Sequence, residues 1–86
     1  MLPLLVVVTG APGSGKTTVA RALAAELELP LVNRDDIKEA LYDVLGARDL
    51  DWSRRLGIAA YSVLFTVTRR LLESGTDCIE IGRAHV

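Results

Sequence analysis

Cysteine and histidine occur once each in this chain of 86 residues, and their scarcity closes off several kinds of chemistry at the start. Cys78 alone cannot form an internal disulfide, which excludes the stapled scaffold of many small secreted domains. Nothing around it suggests a metal cluster, so a buried thiol is the expected reading. An excess of one charge is missing as well: 10 Lys and Arg against 11 Asp and Glu leave −1. Composition therefore gives no reason to expect a basic nucleic-acid face, which leaves room only for a local one. No apolar run is long enough to span a bilayer, and the N-terminal one has no basic segment ahead of it. Neither an export signal nor a membrane anchor is expected, and the default compartment is cytoplasmic. Internal repeats and low-complexity tracts are absent too.

What is present is apolar and ordered. Half of the residues are hydrophobic, in a chain long enough for only one small domain. Such a share suits a sheet covered on both sides. Leu4-Leu5-Val6-Val7-Val8 is a short uninterrupted apolar run rich in β-branched residues, as a buried parallel strand requires. It leads into Gly10-Ala11-Pro12-Gly13-Ser14-Gly15-Lys16-Thr17, which fits the Walker A pattern G-x-x-x-x-G-K-[ST] without a mismatch. The glycines let the backbone turn where a Cβ would forbid it, so that consecutive N–H groups converge as an anion nest. Lys16 supplies a point charge where the β- and γ-phosphates of ATP would lie, and the Thr17 hydroxyl is placed to ligate Mg²⁺. The expected nucleotide-binding set runs from Gly10 through Thr17 to Thr18. The competing reading is a glycine-rich turn with a solvated lysine. It is disfavoured because strand, loop and helix occur in the required order.

After the loop, Val19, Ala20, Leu23, Ala24 and Leu27 recur at helical spacing and predict a helix over 16–28, ended by Pro30. Residues 31–33 read as a second short strand and 37–45 as a second helix stopped at Gly46. A polar connection is expected over 47–53, with Trp52 covering a core edge or, as the lesser alternative, offering a nucleobase platform. Leu56, Ala60, Val63, Leu64, Val67 and Leu71 predict a third helix over 54–74, weakened at Gly57 and closed by Gly75, with Arg54, Arg55, Arg69, Arg70 and Glu73 on a solvated face. A third strand follows over about 76–81, the first being placed at about 4–9. This rhythm implies an α/β fold in three layers, α/β/α, around a parallel sheet.

Asn33-Arg34-Asp35-Asp36-Ile37-Lys38 falls at the carboxyl end of the second strand, the edge of an open α/β sheet where ligands bind. Phosphoryl transfer to an alcohol needs a carboxylate near the hydroxyl to orient it and accept its proton. Asp36 with Glu39 resembles a capping box, which makes Asp36 the expected helix cap and leaves Asp35 to face the crevice as catalytic base beside Lys16. A purely structural role for Asp35 is the alternative. Arg34 and Lys38 could each hold an acidic group of the substrate or simply offset the carboxylates. Lys38, one turn on from Asp35, is the one expected on its side.

Together the two motifs resemble the P-loop kinase group that includes polynucleotide 5′-hydroxyl kinases, chloramphenicol phosphotransferases and zeta-type toxin kinases. The Walker A loop is common to a whole superfamily, AAA-type ATPases among them. The Asn33-Arg34-Asp35-Asp36 stretch looks narrower, and most like the polynucleotide kinase version. The resemblance implies ATP and Mg²⁺ at Lys16 and Thr17, Asp35 acting on the acceptor hydroxyl, and a sheet in the order 2-3-1-4-5. Lys38 stands where those enzymes carry an arginine that contacts substrate phosphate, and a lysine cannot make the same bidentate contact. The likeness covers 4–79 and then stops, so the chain is expected to be the N-terminal half of such a domain, 1–80, without its lid arginines and inactive alone. Ile81-Gly82-Arg83-Ala84-His85-Val86 resembles a translated sequencing adapter, and residues 81–86 are expected to be a non-native tail in which Arg83 and His85 have no role. The function expected is transfer of the γ-phosphoryl group of ATP to a hydroxyl of a small molecule or a polynucleotide end. The alternative is an ATPase or switch module with no acceptor. Neither the acceptor nor the oligomeric state is legible.

Overall fold

The strand, loop and helix around the Walker A glycines are built in that order. In the computed structural model, which describes residues 2–10 and 15–82, β1 (Leu5–Val8) leads to α1 (Lys16–Leu27). β2 (Leu31–Asn33), α2 (Arg34–Leu45), α3 (Leu50–Glu73) and β3 (Cys78–Ile81) follow. Ala11, Pro12, Gly13, Ser14, Arg83 and His85 lie outside the described residues, and with them that part of the expected phosphate cradle and tail.

The three strands form one parallel sheet in the order β1-β3-β2, which agrees with the first three places of the expected order. β3 is central and buried along its whole length. Its register sets Val6 beside Ile79, Val8 beside Ile81 and Leu31 beside Ile79. Residues paired in this way share a face. These side chains pack with Ala20 and Ala24 of α1, small residues that let the helix lie close to the sheet. The other side chains of β3, Cys78 and Glu80, point to the opposite face, where α3 lies with Leu56, Ala60 and Leu64 inward. α2 packs along α3, outside the sheet. The three-layer α/β/α reading thus holds.

Capping moves two boundaries. α2 begins at Arg34, not at residue 37, because the Asn33 side chain accepts a hydrogen bond from the Asp35 amide at 3.0 Å. Asn33 is therefore the cap, and Asp36 sits inside the first turn beside Asp35, where both complement the helix dipole. α3 begins at Leu50, not at residue 54, because Asp49 accepts from the Trp52 amide at 2.9 Å. The expected polar connection shrinks to the few residues from Gly46 to Asp49. Trp52 latches it: its Nε1 donates to the Gly46 carbonyl at 2.8 Å, and the Arg48 guanidinium lies 4.6 Å from the ring centroid. With one face of the ring against Arg48 and its Nε1 on Gly46, the indole clasps the α2–α3 connection. β1 and β3 are each shorter than expected, by one or two residues at their ends.

No helix among the described residues is long and apolar enough to cross a membrane.

Candidate active site

Two backbones are brought to one edge by the position of β3. Val8 of β1 and Asn33 of β2 both pair with Ile81, so both flanking strands end level with the last residue of the central one. The chain leaving β1 and the chain leaving β2 then face each other over two strand spacings, about 10 Å. A crevice of ≈ 550 Å³ opens between them. Gly10, Gly15, Lys16, Thr17 and Thr18 line it from the first crossover, and Asn33, Arg34 and Asp35 from the second. Tyr61 of α3 and the end of β3 complete the wall.

The two helix ends at this crevice differ in one decisive respect. In the first turn of α2 the Asn33 side chain accepts from the Asp35 amide, and the acidic pair offsets the dipole. Among the described residues the first turn of α1 has no side-chain cap and no acidic residue, so its N–H groups and the positive end of its dipole suit an anion. Gly15, at the N-cap, has φ 81°, a left-handed conformation that costs a residue with a Cβ about 1–2 kcal/mol. A Cβ there would touch nothing within 4 Å, so glycine is required by backbone angle and not by space. Lys16 Nζ donates to the Gly10 carbonyl at 3.0 Å, which folds the ammonium back over the loop.

Thr17 contributes a hard hydroxyl oxygen to the same crevice. Among the described residues no group of three or more His, Cys, Asp or Glu side chains is arranged to hold a metal. That donor set suits Mg²⁺, which takes one or two protein oxygens and completes its shell with phosphate and water.

Asp35 is brought into the crevice with Lys16, as expected, though for a different capping reason. Its partner differs from the expected one. Arg34 Nη2 lies 3.1 Å from Asp35 Oδ1, and the Arg34 guanidinium carbon lies 4.9 Å from the centroid of the Tyr61 ring. Lys38 does not line this crevice. It faces a neighbouring cavity between α2 and α3, which Arg34 and Tyr61 also reach. With α2 starting at Arg34, Lys38 lies one turn (i,i+4) on from Arg34 and shares the α2–α3 cavity with it. Tyr61 was not foreseen: its spacing marks it only as flanking the buried stripe of α3. Nothing in sequence reports that β3 ends beneath it.

A family model described as an AAA domain, AAA_33, matches residues 5–80. The chain belongs to this family. Proteins similar to this AAA_33 chain include the cytidylate kinase of Ignicoccus hospitalis, 43% identical over 82 residues, a match that takes in 95% of the chain and 47% of that enzyme. A crystal structure of a provisionally assigned kinase from Chloroflexus aurantiacus superposes with a TM-score of 0.94 at 43% identity, over 98% of the chain and 46% of its counterpart. The AAA_33 chain is thus a P-loop kinase-like domain, and it spans about half the length of these relatives.

Proposed function

We propose that the full-length protein is an ATP-dependent kinase that transfers the γ-phosphoryl group to a hydroxyl of a small molecule or a polynucleotide end. The observation that carries this reading is the placement of Lys16 and Asp35 on opposite sides of one crevice. The bare first turn of α1 binds the phosphates, and Lys16 leaves its resting bond to Gly10 to follow the β- and γ-oxygens. Thr17 would hold Mg²⁺, which would supply positive charge against the transferring group. Asp35 orients the acceptor hydroxyl and takes its proton as the new P–O bond forms and the bond to ADP breaks. Arg34 fixes the carboxylate from one side and leaves its other oxygen to the acceptor.

The expected tail falls outside the match to the family model, which ends at residue 80. Ile81 nonetheless pairs with Val8 and Asn33 inside the sheet, and we assign transfer to the longer protein, in which cations from the remaining half reach the transition state.

The exposed Arg34–Asp35 pair also suits a structural role, and this favours a second reading as an ATPase or switch with no acceptor. Full-length protein incubated with labelled ATP and a panel of alcohols separates the two. The kinase reading expects label on one class of acceptor, and its loss with nucleotide binding in Lys16→Ala. Hydrolysis that no acceptor diverts, and that rises with a protein partner, overturns it.

A further inference from the structure

Arg34 and Tyr61 are the two described residues that line both the crevice and the cavity beside it. The Arg34 guanidinium is held on three sides at that boundary. Its Nη2 lies 3.1 Å from Asp35 Oδ1, and its carbon lies 4.9 Å from the centroid of the Tyr61 ring. Its Nη1 passes over Gly57, 3.8 Å from where a Cβ on that residue would stand. Gly57 and Tyr61 are one turn apart on α3, so bare backbone and aromatic ring form a single seat for the cation. Phe65, a further turn on, stacks against Tyr61 with the centroids 5.9 Å apart and the planes 27° from parallel.

This seat answers a weakness of the ion pair. The Asp35 side chain is 62% exposed, and a pair so open to water is screened and costs a long side chain its freedom. Left to itself, the guanidinium would visit several rotamers and the carboxylate would turn with it. A planar guanidinium lying on an aromatic face gives up that freedom while keeping its charge and its N–H groups. A line of contacts therefore runs from α3 to the carboxylate through Phe65, Tyr61 and Arg34.

We propose that Tyr61 is a positioning residue for phosphoryl transfer: the face of its ring fixes the Arg34 guanidinium, and through it the direction in which Asp35 presents its second oxygen to the acceptor. The proposal rests on the kinase reading and adds to it a residue that acts through another. The ring and not the hydroxyl is what Arg34 rests on, so phenylalanine can serve in its place and leucine cannot.

Transfer of label from ATP to cytidine 5′-monophosphate and to a 5′-hydroxyl oligonucleotide, by variants of the full-length protein, tests it. With whichever acceptor the wild type labels, Tyr61→Leu is expected to lower kcat roughly 10–100-fold, the scale on which a small misplacement acts. Its affinity for ADP should be kept, which shows that the fold is intact. Tyr61→Phe is expected to recover most of the rate. In an Arg34→Gln background Tyr61→Leu should add little, because residues that act through one another are not additive. NMR supplies a readout that needs no acceptor: the Arg34 Hδ protons should be shifted upfield by the ring in the wild type and in Tyr61→Phe, and return to the ordinary arginine position in Tyr61→Leu. An unchanged kcat in Tyr61→Leu, a Tyr61→Phe as slow as Tyr61→Leu, losses that multiply in the double variant, or Arg34 protons that do not move each overturn the proposal. A wild type that labels neither acceptor counts against the kinase reading instead, and the Arg34 resonances then decide whether the ring holds the guanidinium.

Discussion

Asp35 and Cys78 show how differently two single residues are specified. Asp35 could be picked out as a candidate from its place just past a strand end, although an acidic residue in the first turn of α2 also complements the helix dipole. Its partner could not: Arg34 takes the carboxylate, while Lys38 turns into the α2–α3 cavity. Cys78 is read correctly as a buried thiol. Burial in β3 raises its pKa above the ordinary 9.0, and the nearby charges of Glu80 and Asp77 add to the rise. The sign of the consequence follows directly. The folded state holds the proton more tightly than the unfolded state, so this contribution to stability is complete below pH 9.0 and is lost as pH climbs through the higher folded value. Urea titrations are expected to give a midpoint that declines above that pH in the wild type and less steeply in Cys78→Ala. Alkylation of the thiol should track unfolding.

At the scale of elements, the apolar stripes predicted all three helices, because burial is what the stripe encodes. Their ends were harder to read. Asn33, Asp36 and Asp49 are all competent caps, and only the direction in which the chain leaves β2 or the α2–α3 connection decides which one is used. The end of α1 carries a cost that no pattern advertised: Glu28 adopts a left-handed conformation at φ 55° so that the Leu29 amide can close on the Ala24 carbonyl at 2.9 Å. A glycine there would adopt the same angle without the Cβ clash. Glu28→Gly is expected to stabilise the chain by about 0.5–1 kcal/mol, part of the relief being offset by the greater freedom of glycine when unfolded. It should also remove a negative charge from the negative end of the helix dipole. A rise of Tm in calorimetry checks this, and a fall would show that Glu28 makes a contact worth more than the strain.

For the whole molecule, strand order places the crevice and also leaves a flank open. β1 has a neighbour on one side only among the described residues, and Leu4 and Val7 are 57% and 41% exposed beside it. An apolar edge with free backbone groups invites pairing with another chain. The chain is expected to associate as its concentration rises, and Val7→Lys to suppress this in light scattering. The order itself was legible only through resemblance, since periodicity says which residues are buried and not which strand lies in the middle. The central claim is that the carboxylate opposite the phosphate loop performs chemistry. Its most direct test is the rate of phosphoryl transfer by full-length Asp35→Asn at saturating ATP and acceptor. The account predicts a loss of roughly 10²–10⁴-fold, the usual worth of a general base, with ATP affinity kept. A rate equal to that of the wild type would contradict it.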